Sequence, residues 1–382
     1  MKKLFTLIFI FTCFNSFTQK KILDHSDFDI WNRIQSPQIA SKGNHILYSI
    51  QTGEKDSKLM LKDKQGNLIF HHDRSENGVF TYDSKFALFK IKEWKDSITE
   101  MKRRKVKKDK MPLDTLGIFT IDQLILQKIG NVKSFKIPEK WSGFIAYTYE
   151  IVKGEEEKKN QDSKISIKNK SSKKIKKPSS KNGYPLVIRN LDSSVEDTIP
   201  YVTNYTFSKK SESIAYATSG IKDSVQAGVY VKNLKSNSVK HVYSSHENTK
   251  YFKLSLSDSG KNLAFVIDAD STKSYNRPYE LYSWNFKNDK AKLIVNKSNS
   301  PKGYRVSSDG SLKFSGDETK LYFGLALPEI VQDTLLLDEE IVNVEVWTYD
   351  EPRLYTIQEM QLNNDKKKSF KTVFHFKDQK LI

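Results

Sequence analysis

The sequence has almost no cysteine. Cys13 is the only one among 382 residues, and it lies in the extreme N-terminal segment. A single thiol cannot form a disulfide framework or a cysteine-based zinc site. Beyond that segment there is also no thiol nucleophile. The rest of the chain therefore fits a protein that does not depend on disulfides for its stability.

Long apolar runs are lacking as well. The run Leu4–Phe14 follows two lysines and is shorter than the about 20 residues that span a bilayer. Ser16 and Thr18 supply the small residues of a cleavage site. We therefore expect a signal peptide at 1–18, a mature chain that begins at Gln19, and an exported protein, periplasmic or extracellular, with no membrane span after cleavage.

Helical periodicity is weak outside that signal. No stretch of convincing length places apolar residues at the i, i+3, i+4 and i+7 positions of one helix face. Aromatic residues, by contrast, are plentiful, with 22 Phe, 18 Tyr and 5 Trp. That load can bury a sizeable core and excludes global disorder.

The net charge of +18 is concentrated in a few segments. Residues 101–110 contain seven Lys or Arg, and residues 153–181 contain eleven Lys. Neither tract has the interleaved aromatic residues or the motif of a nucleic-acid-binding protein. Both are typical of solvated loops, and we expect no nucleic-acid partner.

One pattern repeats along the mature chain. A polar turn, often Ser-x-x-Gly or carrying Asp, precedes a short apolar strand rich in aromatic and β-branched residues. The repeats lie about 40 to 70 residues apart, which is the spacing of β-propeller blades. The turns and the strands that follow them are 41–43 and 45–50, 83–85 and 86–89, 138–140 and 144–147, 208–210 and 214–217, 257–260 and 263–266, and 315–317 and 321–323.

Hairpin patterns complete several of these repeats, at 228–243, 279–295 and 58–71. The sequence predicts an all-β chain, a β-propeller at 19–382 with six or more four-stranded blades of a seven- or eight-bladed ring. Lysine-rich loop insertions are expected at about 101–112 and 153–183. Two β-sandwich domains would show similar strand spacing, but the repeated turn favours the propeller.

Several segments resemble bacterial prolyl oligopeptidase-family serine peptidases, including exported dipeptidyl peptidase-type members. Trp31 with residues 34–43 is similar to the opening of their first blade. Residues 255–265 and 314–324 resemble their Ser-x-Asp-Gly-Lys turns. The segment 344–350, with Trp347, followed by 354–358, is similar to a stretch near the end of their propeller.

The resemblance implies peptide hydrolysis by a longer parent protein. In that family the chemistry lies in a C-terminal α/β-hydrolase domain, where an elbow serine works with His and Asp. No Gly-x-Ser-x-Gly is present here, and residues 371–376 still read as a strand. We therefore expect a propeller region without its catalytic domain, through truncation or a disrupted gene. No catalytic, cofactor or metal residue is assigned.

Candidate polar clusters point more to structure than to chemistry. His71 and His72 should point to opposite faces of a strand, so that they cannot share a metal ion with Asp73. The other histidines lack metal spacing, and Asp268-Ala269-Asp270 resembles half a calcium loop without its glycine and terminal glutamate. The segment Asp338-Glu339-Glu340 is similar to the acidic residues that hold a peptide amine in dipeptidyl members. The other histidines considered are His25, His241, His246 and His375.

Two functions remain open from the sequence. The first is the non-catalytic, substrate-gating portion of an exported serine peptidase, which meets peptide substrates through its parent catalytic domain. The second is a free-standing secreted propeller that binds a protein or a glycan. Binding of a polyanion by the two lysine-rich tracts is a third idea, whose mark would be a steep salt dependence.

Overall fold

The structure is a computed structural model that describes residues 22–150, 177–221, 225–246, 248–272, 274–329, 335–337, 339–340 and 348–382. The expected signal peptide, the expected start at Gln19 and Trp347 lie outside those residues. No described helix is long and apolar enough to cross a membrane. The chain divides into two compact parts, Met1–Val79 with Phe89–Met111 and Phe80–Leu88 with Pro112–Ile382.

The described chain consists mainly of antiparallel strands, so the prediction of an all-β chain is confirmed. The strands are β1 Asn32–Ile39, β2 His45–Thr52, β3 Lys58–Asp63, β4 Leu68–Asp73, β5 Ser75–Phe80, β6 Phe86–Ile91, β7 Asp114–Thr120, β8 Ile125–Lys136, β9 Phe144–Tyr149, β10 Tyr184–Asn190, β11 Glu196–Phe207, β12 Ser213–Thr218, β13 Gly228–Asn233, β14 Ser238–Ser244, β15 Lys250–Leu256, β16 Asn262–Asp268, β17 Glu280–Asn285, β18 Lys292–Val295, β19 Arg305–Val306, β20 Lys313–Phe314, β21 Lys320–Ala326, β22 Phe370–His375 and β23 Lys380–Leu381.

Helices are short. The α-helices are α1 Lys95–Arg103 and α2 Tyr355–Asp365, and 3-10 turns form at His25–Ile30 and Lys108–Lys110. The sequence did not predict either α-helix, because both are short and neither buries a residue fully, so an apolar pattern has few positions in which to repeat. The basic tract at 101–112 is accordingly not loop alone, since its first three residues complete α1.

The strands form sheets in chain order. Their order is β1-β2-β3-β4, then β5 through β14 in one continuous run, then β15-β16-β17-β18, then β19-β21-β22-β23 with β20 also on β21. In the ten-stranded run β8 and β11 are twice the usual length. Residues up to Val132 of β8 pair with β7, and residues from Val132 onward pair with β9. β11 changes partner in the same way at Val202.

These two long strands each end one four-stranded meander and begin the next. The described strands therefore group into six such meanders, here called units. Unit 1 is β1–β4, unit 2 is β5–β7 with the first half of β8, unit 3 is the second half of β8 with β9, β10 and the first half of β11, unit 4 is the second half of β11 with β12–β14, unit 5 is β15–β18 and unit 6 is β19–β23.

The units of the second part pack face to face in series. Leu263 and Phe265 of β16 pack with Ala215 and other residues of unit 4. The alternate residue Val266 packs on the opposite face with Phe323 of unit 6. A sheet in a two-layer sandwich buries only one face in this way. The double burial of β16 therefore argues against the sandwich alternative in this region, and it explains why the strand has no polar alternation.

The repeated sequence turn is a six-residue hairpin between the first and second strands of a unit. The backbone N–H of the first residue bonds to the carbonyl of the sixth, at 2.8 Å in Ser257–Asn262 and 2.9 Å in Ser315–Lys320. The fourth residue adopts a left-handed φ, +72° at Gly260 and +60° at Glu318. Glycine reaches that conformation without strain, which accounts for the Ser-x-x-Gly pattern.

Equivalent turns of consecutive units touch one another. The indole Nε1 of Trp141 donates to the carbonyl of Ser208 at 2.9 Å, and the Ser208 hydroxyl donates to the carbonyl of Asp258 at 2.8 Å. The carboxylate of Glu318 accepts from the Ser259 backbone at 2.7 Å. These bonds link the turns of units 3, 4, 5 and 6 one to the next.

Long connections lie at the other end of four of the six units. In an antiparallel meander, the link from the second to the third strand is at the opposite end from the first turn. That link is long in units 2, 3, 5 and 6, where it covers 92–113, 150–183, 269–279 and 327–369. Both expected lysine-rich insertions fall in these links, although 151–176 lies outside the described residues.

Alkaline pH should weaken the core between units 3 and 4. Burial raises the pKa of Tyr205 from 10.0 to about 12. The neutral phenol is the form that the fold stabilises, so this contribution is complete below pH 10 and is lost as the pH rises through about 12. A rise in pKa from 10.0 to about 12 corresponds to about 2–3 kcal/mol. We expect the free energy of unfolding in urea to fall between pH 10 and pH 12, and to fall less steeply in Tyr205→Phe.

The exposed Tyr275 offers the control, because its side chain is 58% exposed. Tyr275→Phe should leave the pH dependence of wild type unchanged. Equal slopes in Tyr205→Phe and wild type would contradict the assignment.

Candidate binding cleft

A cleft of about 470 Å³ opens in the second part of the chain, where the long connections emerge. Three segments line it: the link 269–279 between β16 and β17, the passage 296–304 from β18 to β19, and Pro328 after β21. The strands before and after each link hold it at one end of their sheet. The volume lies within the range of small-ligand pockets, about 300–1,000 Å³.

Arg277 forms the structural centre of the first segment. Its Nε donates to Oδ2 of Asp268 at 2.7 Å, and its Nη2 donates to Oδ1 at 2.9 Å. Nη2 also donates to the Asp270 carbonyl at 2.7 Å, and Nη1 donates to the Thr272 carbonyl. The Asp268 side chain, at the end of β16, is only 2% exposed. This pairing closes the link 269–279 into a fixed loop.

Asp270 completes that loop from its outer side. Its carboxylate accepts from the Thr272 hydroxyl at 2.6 Å and lies 3.3 Å from Nη1 of Arg277. The hydrogen bonds from Thr272, with the neighbouring guanidinium, lower the pKa of Asp270 below its usual value. The Asp268 bond likewise raises the pKa of Arg277. The Asp270 carboxylate and the Arg277 guanidinium therefore stay charged across the physiological pH range.

Arg305, the first residue of β19, joins the three segments. Nη1 donates to the Arg277 carbonyl at 3.2 Å, and Nη2 donates to Oε1 of Glu329 at 3.0 Å. The guanidinium carbon lies 5.3 Å from the centre of the Tyr279 ring. The Asn276 amide bonds to both backbone groups of Glu329, at 2.7 and 3.1 Å. Unit 5 and unit 6 are thus fastened together beside the cleft.

The chemistry of the lining is cationic and apolar. Lys297 and Lys302 add two exposed cations on the middle segment. Each of the three segments contributes a proline: Pro278, Pro301 and Pro328. Such a surface suits a ligand that combines an anionic group with apolar atoms.

The calcium-loop resemblance at Asp268-Ala269-Asp270 has a different explanation. Both carboxylates serve Arg277, which supplies the positive charge that the acidic pair requires. Among the described residues, no group of three or more His, Cys, Asp or Glu is placed to hold a metal ion.

The histidines do not come together. His71 and His72 lie on opposite faces of β4, as strand alternation requires, and the His72 ring packs 5.7 Å from Phe89. His241 stacks on Tyr230 at 4.3 Å, and burial lowers its pKa. The others lie apart, His25 in a 3-10 turn, His246 in the loop after β14 and His375 at the end of β22.

The structure describes only part of the acidic segment 338–340. Asp338 lies outside the described residues. Glu339 and Glu340 are exposed, and the Glu340 carboxylate accepts from the backbone of Leu337 at 2.8 Å within the same turn. Their exposure fits the solvated loop that the sequence favours over an amine-binding site.

Sequence reasoning did not find Arg277 or Arg305. The sequence does carry a signal for Arg277, because this arginine lies nine positions after Asp268, the buried acidic residue that ends β16. The contact between Arg305 and Glu329 spans 24 positions and two loops. No local pattern reports a contact of that kind.

No family model and no curated protein matches the chain. It is similar to an acylaminoacyl peptidase from Pyrococcus horikoshii, with 11% identity and a TM-score of 0.39 over 79% of this chain and 44% of that one. The chain thus spans less than half the length of that peptidase.

Two further likenesses are of the same order. The β-propeller domain of the Trilobed protease from Pyrococcus furiosus has 11% identity and a TM-score of 0.40, over 78% of this chain and 79% of that one. An oligogalacturonate lyase from Vibrio parahaemolyticus has 10% identity and a TM-score of 0.38, over 93% and 79%. These likenesses concern the fold alone.

Proposed function

We propose that this chain is a β-propeller that acts as the non-catalytic, substrate-gating portion of an exported prolyl oligopeptidase-family serine peptidase. The observation that carries the proposal is the two-ended construction of its units. Short hairpins link units 3 to 6 at one end, and the long connections, with a cleft among them, lie at the other. That arrangement suits a domain that meets ligands at one end and is stabilised at the other.

Peptide is the ligand class that the cleft suits best. Its cations and hydrogen-bonding groups can meet the polar backbone or end group of a peptide, and its prolines can contact apolar side chains. The motif resemblance at 255–265 and 314–324 points the same way. In this proposal the chain supplies binding and exclusion, while a separate catalytic domain supplies the nucleophile.

The chain by itself should bind short peptides and should not react with a fluorophosphonate probe. It contains no elbow serine, and a lone hydroxyl without an adjacent base is a poor nucleophile. Fluorescence anisotropy with labelled six-residue peptides measures the binding, and in-gel fluorescence measures labelling. Lys302→Trp, which adds a bulky ring to the cleft, should weaken binding at least severalfold.

Lys313→Trp is the matched control, because Lys313 is an exposed lysine of β20 that does not line the cleft. It should bind peptides as wild type does. Stoichiometric labelling of one serine would overturn the non-catalytic role. Binding of oligosaccharides with no binding of peptides would favour the free-standing glycan-binding propeller instead.

A further inference from the structure

The two arginines of the cleft differ in what their contacts leave available. The Arg277 guanidinium is saturated, since its three nitrogens all donate to Asp268, Asp270 or Thr272. Arg305 uses two of its five N–H groups, one to the Arg277 carbonyl and one to Glu329. Its Nε is buried and has no hydrogen-bond partner among the described residues. Arg305 is therefore the incompletely paired arginine of this cleft.

The surroundings of Arg305 favour an anion. Its side chain is only 13% exposed, so its charge is poorly screened by water. Lys297 and Lys302 stand on the same cleft and strengthen the positive potential. The opposing charge is Glu329, whose side chain is 44% exposed and therefore free to move toward water. A carboxylate from a ligand can join or replace Glu329 on the guanidinium fork.

The apolar surface of the cleft suits a peptide better than an acidic sugar. Sugars stack on open aromatic faces, whereas the two tyrosines here are engaged. The Tyr279 ring lies 5.0 Å from the Phe252 ring, centre to centre, and the Arg305 guanidinium lies over it. The Tyr304 ring lies 5.6 Å from the Phe370 ring. The prolines of the three segments offer contacts to aliphatic side chains instead.

We infer that the cleft binds the C-terminal carboxylate of a peptide, with Arg305 as the residue that receives it and Glu329 as the competing internal anion. Arg277 then acts as a positioning residue, because it fixes the loop whose carbonyl holds Arg305. This inference rests on the proposed function in taking the ligand to be a peptide. It adds which end of the peptide the cleft recognises.

The test compares one N-terminally labelled hexapeptide in two forms, with a free C-terminal carboxylate and as the amide. Wild type should bind the free acid roughly 10- to 100-fold more tightly, the range expected for hydrogen bonds to a charged group. Arg305→Gln should reduce that ratio to within about twofold. Glu329→Gln should increase affinity for the free acid, because it removes the competing charge.

Arg189→Gln is the matched control. Arg189 is also paired with a glutamate, Glu196 at 2.8 Å, and its side chain is 14% exposed, but it lies away from the cleft. It should keep the wild-type ratio of acid to amide. If Arg305→Gln fails to fold by circular dichroism, the wild-type ratio and the Glu329→Gln gain still decide the matter.

The outcomes separate the two proposals. Equal binding of acid and amide by wild type would overturn carboxylate recognition and leave peptide gating intact. Binding of neither form would overturn both. Binding of a trigalacturonate in place of either peptide would overturn the peptide assignment and support the glycan alternative.

Discussion

Replacing Asp268 by alanine is expected to lower the free energy of unfolding by about 3 kcal/mol or more. The side chain is 2% exposed and holds two donors of the Arg277 guanidinium. Removing one partner of a buried ion pair leaves the other charge uncompensated, which typically costs about 3–5 kcal/mol. The lower end is expected here because Arg277 is 20% exposed. Urea unfolding followed by tryptophan fluorescence measures the change.

Two variants define the cause of that loss. Asp270→Ala removes the outer carboxylate, which lies farther from the guanidinium at 3.3 Å, and should cost clearly less. Adding Arg277→Ala to Asp268→Ala removes the unpaired charge and should recover part of the stability. If Asp270→Ala were as harmful as Asp268→Ala, the inner pair would not be the element that fixes the link.

The clearest strands were predictable because they are central and buried on two faces, as β6, β12 and β16 are. Runs such as 263–266 and 214–217 lack polar alternation, and each follows a polar turn, which before 263–266 has Gly260 at its left-handed fourth position. Both signals are local, so the sequence displays them. The propeller ring itself stays a prediction, since ring closure depends on contacts that no local pattern encodes.

The cleft was not predictable for the opposite reason. Asp268 and Asp270 stood out as an acidic pair, yet the partner that explains them is a single arginine in the same link. Arg305 in β19 and Glu329 just after β21 are 24 positions apart, and the pairing of β19 with β21 within unit 6 brings them within 3.0 Å. Helices α1 and α2 also escaped prediction, because each is short and neither buries a residue fully.

The face-to-face stacking of the units predicts a second large loss. Phe265 of β16 is fully buried between units 4 and 5, where its ring lies parallel to Tyr282 at 5.6 Å and edge-on to Tyr243 at 5.3 Å. Phe265→Ala should lower the free energy of unfolding by about 3–5 kcal/mol, through lost transfer energy and the cavity that remains. Differential scanning calorimetry and urea unfolding measure the change.

Two comparisons show whether the loss comes from the stacked interface. Phe286, just after β17 in the same unit, is 46% exposed, so Phe286→Ala should cost no more than about 1 kcal/mol. Phe265→Leu keeps most of the volume and should cost less than Phe265→Ala. Serial packing makes unit 5 a necessary support for its neighbours on both sides, so Phe265→Ala should also reduce cooperativity. A stable Phe265→Ala protein with an unchanged transition would mean that units 4 and 5 do not depend on each other.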